Sequence, residues 1–145
     1  LSNIQAAMGC AQMEQIDEFI EKKLHIARAY QDGFQESSEI IPMPESEEVA
    51  ATFWLYTVLL KSDTTLEARK AVVRDLNNNG VGARPLWHPI HQLPPYRDCQ
   101  AFRIDQAMNL YKKAVSLPSS AGLTELDQQT SIAAFRKSVS SQGFK

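Results

Sequence analysis

Helical stretches interleaved with short strand-like runs predict a small α/β (α+β) domain with a sheet of three or four strands. Three observations carry this expectation. Apolar residues recur at helical spacing over roughly the first thirty positions. The run Thr52 to Leu60 (TFWLYTVLL) is dense in aromatic and β-branched residues, as a central strand requires. Capping signatures, S-x-x-Q and T-x-x-E, stand before the helical stretches.

The elements follow in order. Ser2 and Gln5 form a capping box, so a helix starts at once. Ile4, Met8, Ala11, Ile16, Phe19, Ile20, Ala27 and Tyr30 fall near one face of it, with most charges on the other. The spacing predicts one helix of roughly 45 Å at 1.5 Å per residue, more than a small domain needs. Residues 1–34 are therefore expected to bridge two structural units, with Gly33 as the stop, and residues 35–145 to form the small domain. After a polar connection holding Pro42 and Pro44, with a short strand at Ile40-Ile41, comes the strand 52–60. Thr64 and Glu67 predict a second capping box, and Leu66, Val72, Val73 and Leu76 a helical stripe. Asn77-Asn78-Asn79-Gly80 ends that helix with residues tolerant of the left-handed conformation. A strand is expected over 81–86, a helix over 104–114, a short strand over 115–118, and a final helix from Thr124 to about Val139, with a frayed tail from Ser140.

Composition narrows the function classes. The chain has 15 basic and 17 acidic residues, a net charge of −2. That balance offers no basic surface for nucleic acid and no polybasic membrane signal. Cys10 and Cys99 lie far apart and outside any C-x-x-C pair, so they read as packing residues rather than zinc ligands or nucleophiles. No secretory h-region and no apolar run of about 18 residues occurs, and a cytoplasmic setting is expected. The chain opens at Leu1, already at a helix start, which reads as a chain cut from something longer.

Residues 84–96 (RPLWHPIHQLPPY) are the densest candidate site, with four of the seven prolines and two of the three histidines. Proline lowers the entropy cost of holding side chains in place. A guanidinium, an indole, two imidazoles and a phenol together could grip an anionic, hydroxyl-rich ligand. The plainer alternative is that Trp87 and Tyr96 are core and the prolines shape a turn. His88 and His91 could also be a metal pair, but Pro89 argues against a helix there and no neighbouring carboxylate or Cys completes a site. Asn3 is either an ordinary first-turn residue or a contact near a ligand. His25, beside Lys22, Lys23 and Arg28, reads as solvated or interfacial.

Residues 1–17 (LSNIQAAMGCAQMEQID) resemble a signature of the DegT/DnrJ/EryC1/StrS aminotransferases, in which a segment like MSNIQAAIGLAQLE opens a long helix. Phe53-Trp54-Leu55-Tyr56-Thr57 is similar to that family's first small-domain strand, and Gly80-Val81-Gly82-Ala83-Arg84 to its G-I-x-T/A-R strand. Pro89 to Tyr96 resembles its P-x-H-x-x-P-x-Y loop, and Ser116-Leu117-Pro118, Gly122-Leu123-Thr124 and Asp127-Gln128 its closing S-L-P…G-L-T-x-x-D-Q. These matches cover nearly the whole chain.

The resemblance implies the C-terminal small domain of an aspartate-aminotransferase-like (fold type I) enzyme. It implies a homodimer that uses pyridoxal phosphate (PLP) to move an amino group, commonly from glutamate, onto a nucleotide-linked keto-sugar for surface polysaccharide or antibiotic sugar synthesis. The Schiff-base lysine and most cofactor contacts would lie upstream of Leu1, in a large N-terminal domain, so this chain should not transaminate alone. Lys22, Lys23, Lys61, Lys70, Lys112, Lys113 and Lys137 fall on polar faces or element ends, and none is a convincing substitute. By position, Asn3 would lie near the cofactor, while Arg84 and His91 would face the active-site mouth. His91 would bond the sugar or its phosphate, Arg84 an anionic group, and Trp87 and His88 would shape the pocket. The competing reading is a non-catalytic remnant that dimerises or binds through its long helix.

Overall fold

A computed structural model describes residues 2–142 except 47 and 62. Leu1 and the last three residues of the expected tail lie outside the described residues. The chain forms a helical arm, α1 (Asn3–Met13) and α2 (Ile16–Phe34), then β1 (Ile40–Ile41), β2 (Tyr56–Leu60), α3 (Leu66–Asn78), β3 (Arg84–Pro85), α4 (Asp105–Lys113), β4 (Ala114–Leu117) and α5 (Glu125–Ser141). Two short 3-10 turns, Ile90–Gln92 and Pro94–Tyr96, shape the proline-rich loop.

The arm starts as its sequence requires. Ser2 caps α1 by accepting from the Gln5 backbone, and the Gln5 side chain accepts from the Ser2 backbone at 2.9 Å. The arm is two helices, however, where the spacing predicts one. Neither proline nor glycine explains the break. The Gln15 side chain donates to the Ala11 carbonyl at 3.3 Å, and the Gln15 backbone N–H turns to Gln12 at 3.2 Å. A side chain inserted into the i→i−4 ladder is a recognised cause of kinking. Gly33 is not a stop either. It lies within α2, where a Cβ would come within 2.8 Å of Ile132 Cδ1, so its missing side chain lets α2 and α5 approach.

The sheet has order β1-β2-β4-β3, and every pair is antiparallel. In β2, Tyr56, Val58 and Leu60 are buried, alternating with Thr57 and Leu59. Period-two alternation puts these three on one face. They join Val115 and Leu117 of β4, Ile26, Ala27, Tyr30 and Phe34 of α2, Val72 and Leu76 of α3, and Ile132, Phe135 and Val139 of α5 in one core. Stacked aromatic rings run through it: Tyr30 lies 5.9 Å from Phe34 and 4.9 Å from Tyr56, between ring centroids. Buried Gln128 ties α5 to α2 by donating to the Ile26 carbonyl at 2.7 Å.

Two strands are shorter than their sequences suggest. The run 52–60 becomes a strand only at Tyr56, because Phe53 adopts φ +47° in the left-handed region, unusual for an aromatic residue. That conformation buries the Phe53 ring beside Tyr56 at 6.1 Å and leaves Trp54 and Leu55 outside. The run 81–86 yields only Arg84–Pro85. Upstream of it, Val81 donates to Leu76 at 2.9 Å and Gly80, at φ +81°, donates to Asn77 at 3.1 Å, which is the Schellman closure of α3. The N–H of Val81 is spent on the helix end, and Pro85 has no N–H to extend an edge strand.

The expected second capping box is replaced by a simple cap one residue later. Thr65, not Thr64, caps α3 by accepting from Ala68, and Glu67 pairs with Lys70 at 2.8 Å. That partnership holds the Glu67 carboxyl below the usual carboxylate range. Thr124 caps α5, which runs two residues past Val139. Cys10 and Cys99 are both exposed, so neither packs as expected. No described helix is long and apolar enough to cross a membrane.

Candidate functional site

The register of the sheet assembles the site. Thr57 pairs with Ser116, and Ser116 pairs with Arg84. Directly paired residues share a face, so Thr57, Ser116 and Arg84 form a row across three strands, opposite the core. The Thr57 and Ser116 hydroxyls meet at 3.0 Å. These three side chains belong to a cleft of about 610 Å³, also lined by Phe53, Trp54 and Trp87. The indoles of Trp54 and Trp87 stand edge to face at 5.9 Å.

Both indoles are largely open to solvent, Trp54 at 67% and Trp87 at 70%. Tyr96 is exposed as well. The reading of Trp87 and Tyr96 as core residues is therefore overturned. Exposed indoles beside a guanidinium offer an apolar platform and a charge-assisted donor in one concavity. Phe53 stores local strain at the lip of this cleft, where functional sites often hold it.

The candidate residues divide three ways. Arg84 and Trp87 share the cleft. His88 leaves it for α4, where its Nδ1 lies 2.9 Å from the Tyr111 hydroxyl. His91 sits in the first 3-10 turn, partly buried and outside the cleft lining. Asn3 is exposed in the first turn of α1, a helix that buries nothing. No group of three or more His, Cys, Asp or Glu side chains is placed to hold a metal among the described residues.

Four participants escaped the sequence reading. Trp54 looked like one more strand residue. Lys23 looked like a solvated face, yet it is partly buried and donates to the carbonyls of Trp54, at 2.9 Å, and Ser119. Burial lowers its pKa, and its ammonium anchors α2 behind the Trp54 lip. Arg69 and Tyr111 lie beneath His88. No local motif marks them, since their meeting depends on the packing of α3 against α4.

The comparisons with known proteins bear on this geometry. The model of the DegT/DnrJ/EryC1/StrS aminotransferase family matches residues 1–136. This chain belongs to that family. GDP-perosamine synthase of Caulobacter vibrioides is 34% identical over 138 residues, covering 92% of this chain and 36% of that protein. GDP-perosamine synthase of Escherichia coli O157:H7 is 31% identical, covering 86% and 32%. Among solved structures, Helicobacter pylori PseC, an aminotransferase of pseudoaminic acid biosynthesis, superposes with a TM-score of 0.88 at 22% identity, covering 97% of this chain and 38% of PseC. Spr1654 of Streptococcus pneumoniae in its PLP form gives 0.89 at 20% identity, with 98% and 36% covered. The fold is thus the small domain of a fold type I DegT/DnrJ/EryC1/StrS aminotransferase. The chain spans about a third of the length of these relatives.

Members of this family use PLP, whose chemistry needs a lysine amine able to form an imine. Among the described residues, this cleft does not meet that requirement. The cleft lining contains no lysine. Lys22 pairs with Glu18 at 2.5 Å, Lys70 with Glu67, and Lys23 is committed to two carbonyls. No Schiff-base role is assigned to any of these side chains.

Proposed function

We propose that this chain is the substrate-facing small domain of a PLP-dependent aminotransferase that moves an amino group, from glutamate, onto a nucleotide-linked keto-sugar. The observation that carries this reading is the row Thr57–Ser116–Arg84 beneath the two exposed indoles. Arg84 holds a phosphate of the nucleotide, and Trp87 and Trp54 cover an apolar face of the ligand. His88 and His91, which stand on the loop outside the cleft lining, contact the part of the ligand that extends beyond the cleft. The Schiff-base lysine comes from a large domain that α1 and α2 join to this one, with Asn3 at the cofactor end. The intact enzyme works as a cytoplasmic homodimer, and this chain alone is inactive. The name of its relative, GDP-perosamine synthase, supports a nucleotide-linked sugar substrate.

The test joins this chain to the upstream two-thirds of the Caulobacter synthase. Glutamate-dependent amination is then assayed on a panel of nucleotide-linked keto-sugars. The chimera is expected to be active, and Arg84→Ala to raise KM on the order of tenfold or more, as loss of a charge-assisted bond does. His91→Ala should lower kcat/KM with cofactor content unchanged. A stoichiometric borohydride-trapped PLP adduct on one lysine of this chain alone would overturn the proposal. One observation favours a non-catalytic assembly module instead: α1 buries no residue and exposes Ile4, Met8 and Met13. That reading predicts an inactive chimera and concentration-dependent self-association.

A further inference from the structure

Arg69 is the least expected side chain in the interior. It is 2% exposed, and its Nε and Nη2 are buried without a hydrogen-bond partner among the described residues. An unpaired buried charge is costly, so what compensates it is informative. Its guanidinium carbon lies 5.0 Å from the centre of the Tyr111 ring. The aromatic face is the counter-group.

The other end of Tyr111 meets His88. The phenol oxygen is 2.9 Å from Nδ1, and the two rings stand perpendicular at 5.2 Å between centroids. The loop is tied to the same helix a second time, because Gln92 Nε2 donates to Met108 Sδ at 3.2 Å. Met108 and Tyr111 are three residues apart on α4 and so share a face. That face is the rail on which the loop is seated.

We propose that Arg69 and Tyr111 are positioning residues that hold His88 in the tautomer with its proton on Nε2. A cation against the ring draws electron density from the phenol, which makes its hydroxyl a better donor and a poorer acceptor. Tyr111 therefore donates to Nδ1. The tautomer is set by the bond the first nitrogen makes, and the second nitrogen then carries the hydrogen. His88 presents a neutral N–H donor at Nε2, suited to an oxygen acceptor such as a phosphate or a sugar hydroxyl. This last step rests on the proposed function, but the tautomer itself does not.

The experiment is nitrogen NMR of the histidine rings in the 145-residue chain at about pH 9, where imidazole is neutral. His88→Gln identifies the signal. The expected result is one tautomer for His88, bare at Nδ1 and protonated at Nε2. Tyr111→Phe, which removes one oxygen from a partly buried ring, should convert His88 to a tautomer mixture and leave His25 and His91 unmoved. Arg69→Met keeps the phenol but removes the cation, and should move His88 part of the way. A proton on Nδ1 in the native chain, or unchanged His88 signals in Tyr111→Phe, would overturn the proposal. Unchanged signals in Arg69→Met would remove Arg69 from it. In the chimera, Tyr111→Phe should raise KM on the order of fivefold with kcat nearly constant, the loss expected for one hydrogen bond. An unmoved KM beside an intact native tautomer would reject His88 as a ligand contact without touching the tautomer assignment.

Discussion

The two halves of the helical arm are neighbours in sequence and opposites in environment. α2 buries Ile26, Ala27, Tyr30 and Phe34 against the sheet and α5, and Lys23 pins it to the Trp54 lip. α1 buries nothing; Ile4, Met8 and Met13 stand open. Both halves read as one apolar stripe at helical spacing. The difference teaches that such a stripe specifies which face will be buried, not what will bury it. α2 finds its partner within the chain, and α1 finds none among the described residues. An 11-residue helix without packing is held by its capping box and ladder alone, near the limit of stability in water.

The contrast can be broken by truncation. The largest effect is expected at Phe34, fully buried between Tyr30 and Phe135. Phe34→Ala should cost about 3–5 kcal/mol in urea unfolding, the usual loss for a buried aromatic. A cost near zero would mean that α2 is not core. Gln128→Ala is next. It strips the Ile26 carbonyl of its side-chain partner, and about 1–3 kcal/mol is expected for breaking a buried hydrogen bond.

Tyr30 sharpens the comparison through pH. Burial pushes its hydroxyl from the ordinary 10.0 up to about 12, and it donates to the Pro118 carbonyl at 2.8 Å. A folded value above the unfolded one favours the neutral phenol. Its contribution is complete below about pH 10 and is lost as pH rises to about 12. Tyr30→Phe should cost about 1 kcal/mol at pH 8 and flatten the alkaline fall in stability. Tyr56, raised further by burial, keeps part of that slope. An identical alkaline fall in Tyr30→Phe would show that its proton is not held by the fold. The smallest effects belong to α1. Ile4→Ala and Met8→Ala should each change unfolding by under about 0.5 kcal/mol, as exposed positions do. A larger loss, paired with concentration dependence, would show that two copies bury α1 between them.

Much of the domain was legible locally. Ser2 and Thr124 cap helices through bonds to residues three positions on, so their meaning needs no distant partner. Gly80 closes α3 in the left-handed conformation for the same reason. The errors share a cause. Phe53 reads as a strand residue, but burying its ring beside Tyr56 repays a left-handed backbone. Gly33 reads as a stop, but the approach of Ile132 is what requires it. Arg84 and Trp87 line one cleft, since a proline-braced segment keeps sequence neighbours together. Their companions Thr57 and Ser116 come from distant strands and become neighbours only through register.

By itself, then, the sequence determined the starts of α1 and α5, the α/β order of elements, the family and the proline-rich segment that holds Arg84, Trp87, His88 and His91. Those features rest on short-range hydrogen bonding, on backbone preference and on matches along a continuous chain. Only the tertiary structure decided that His88 turns to Tyr111, that Arg69 is buried beneath it, and that a lysine braces Trp54. These outcomes depend on which helix packs on which strand, and desolvation then leaves each buried polar group the partners that packing supplies.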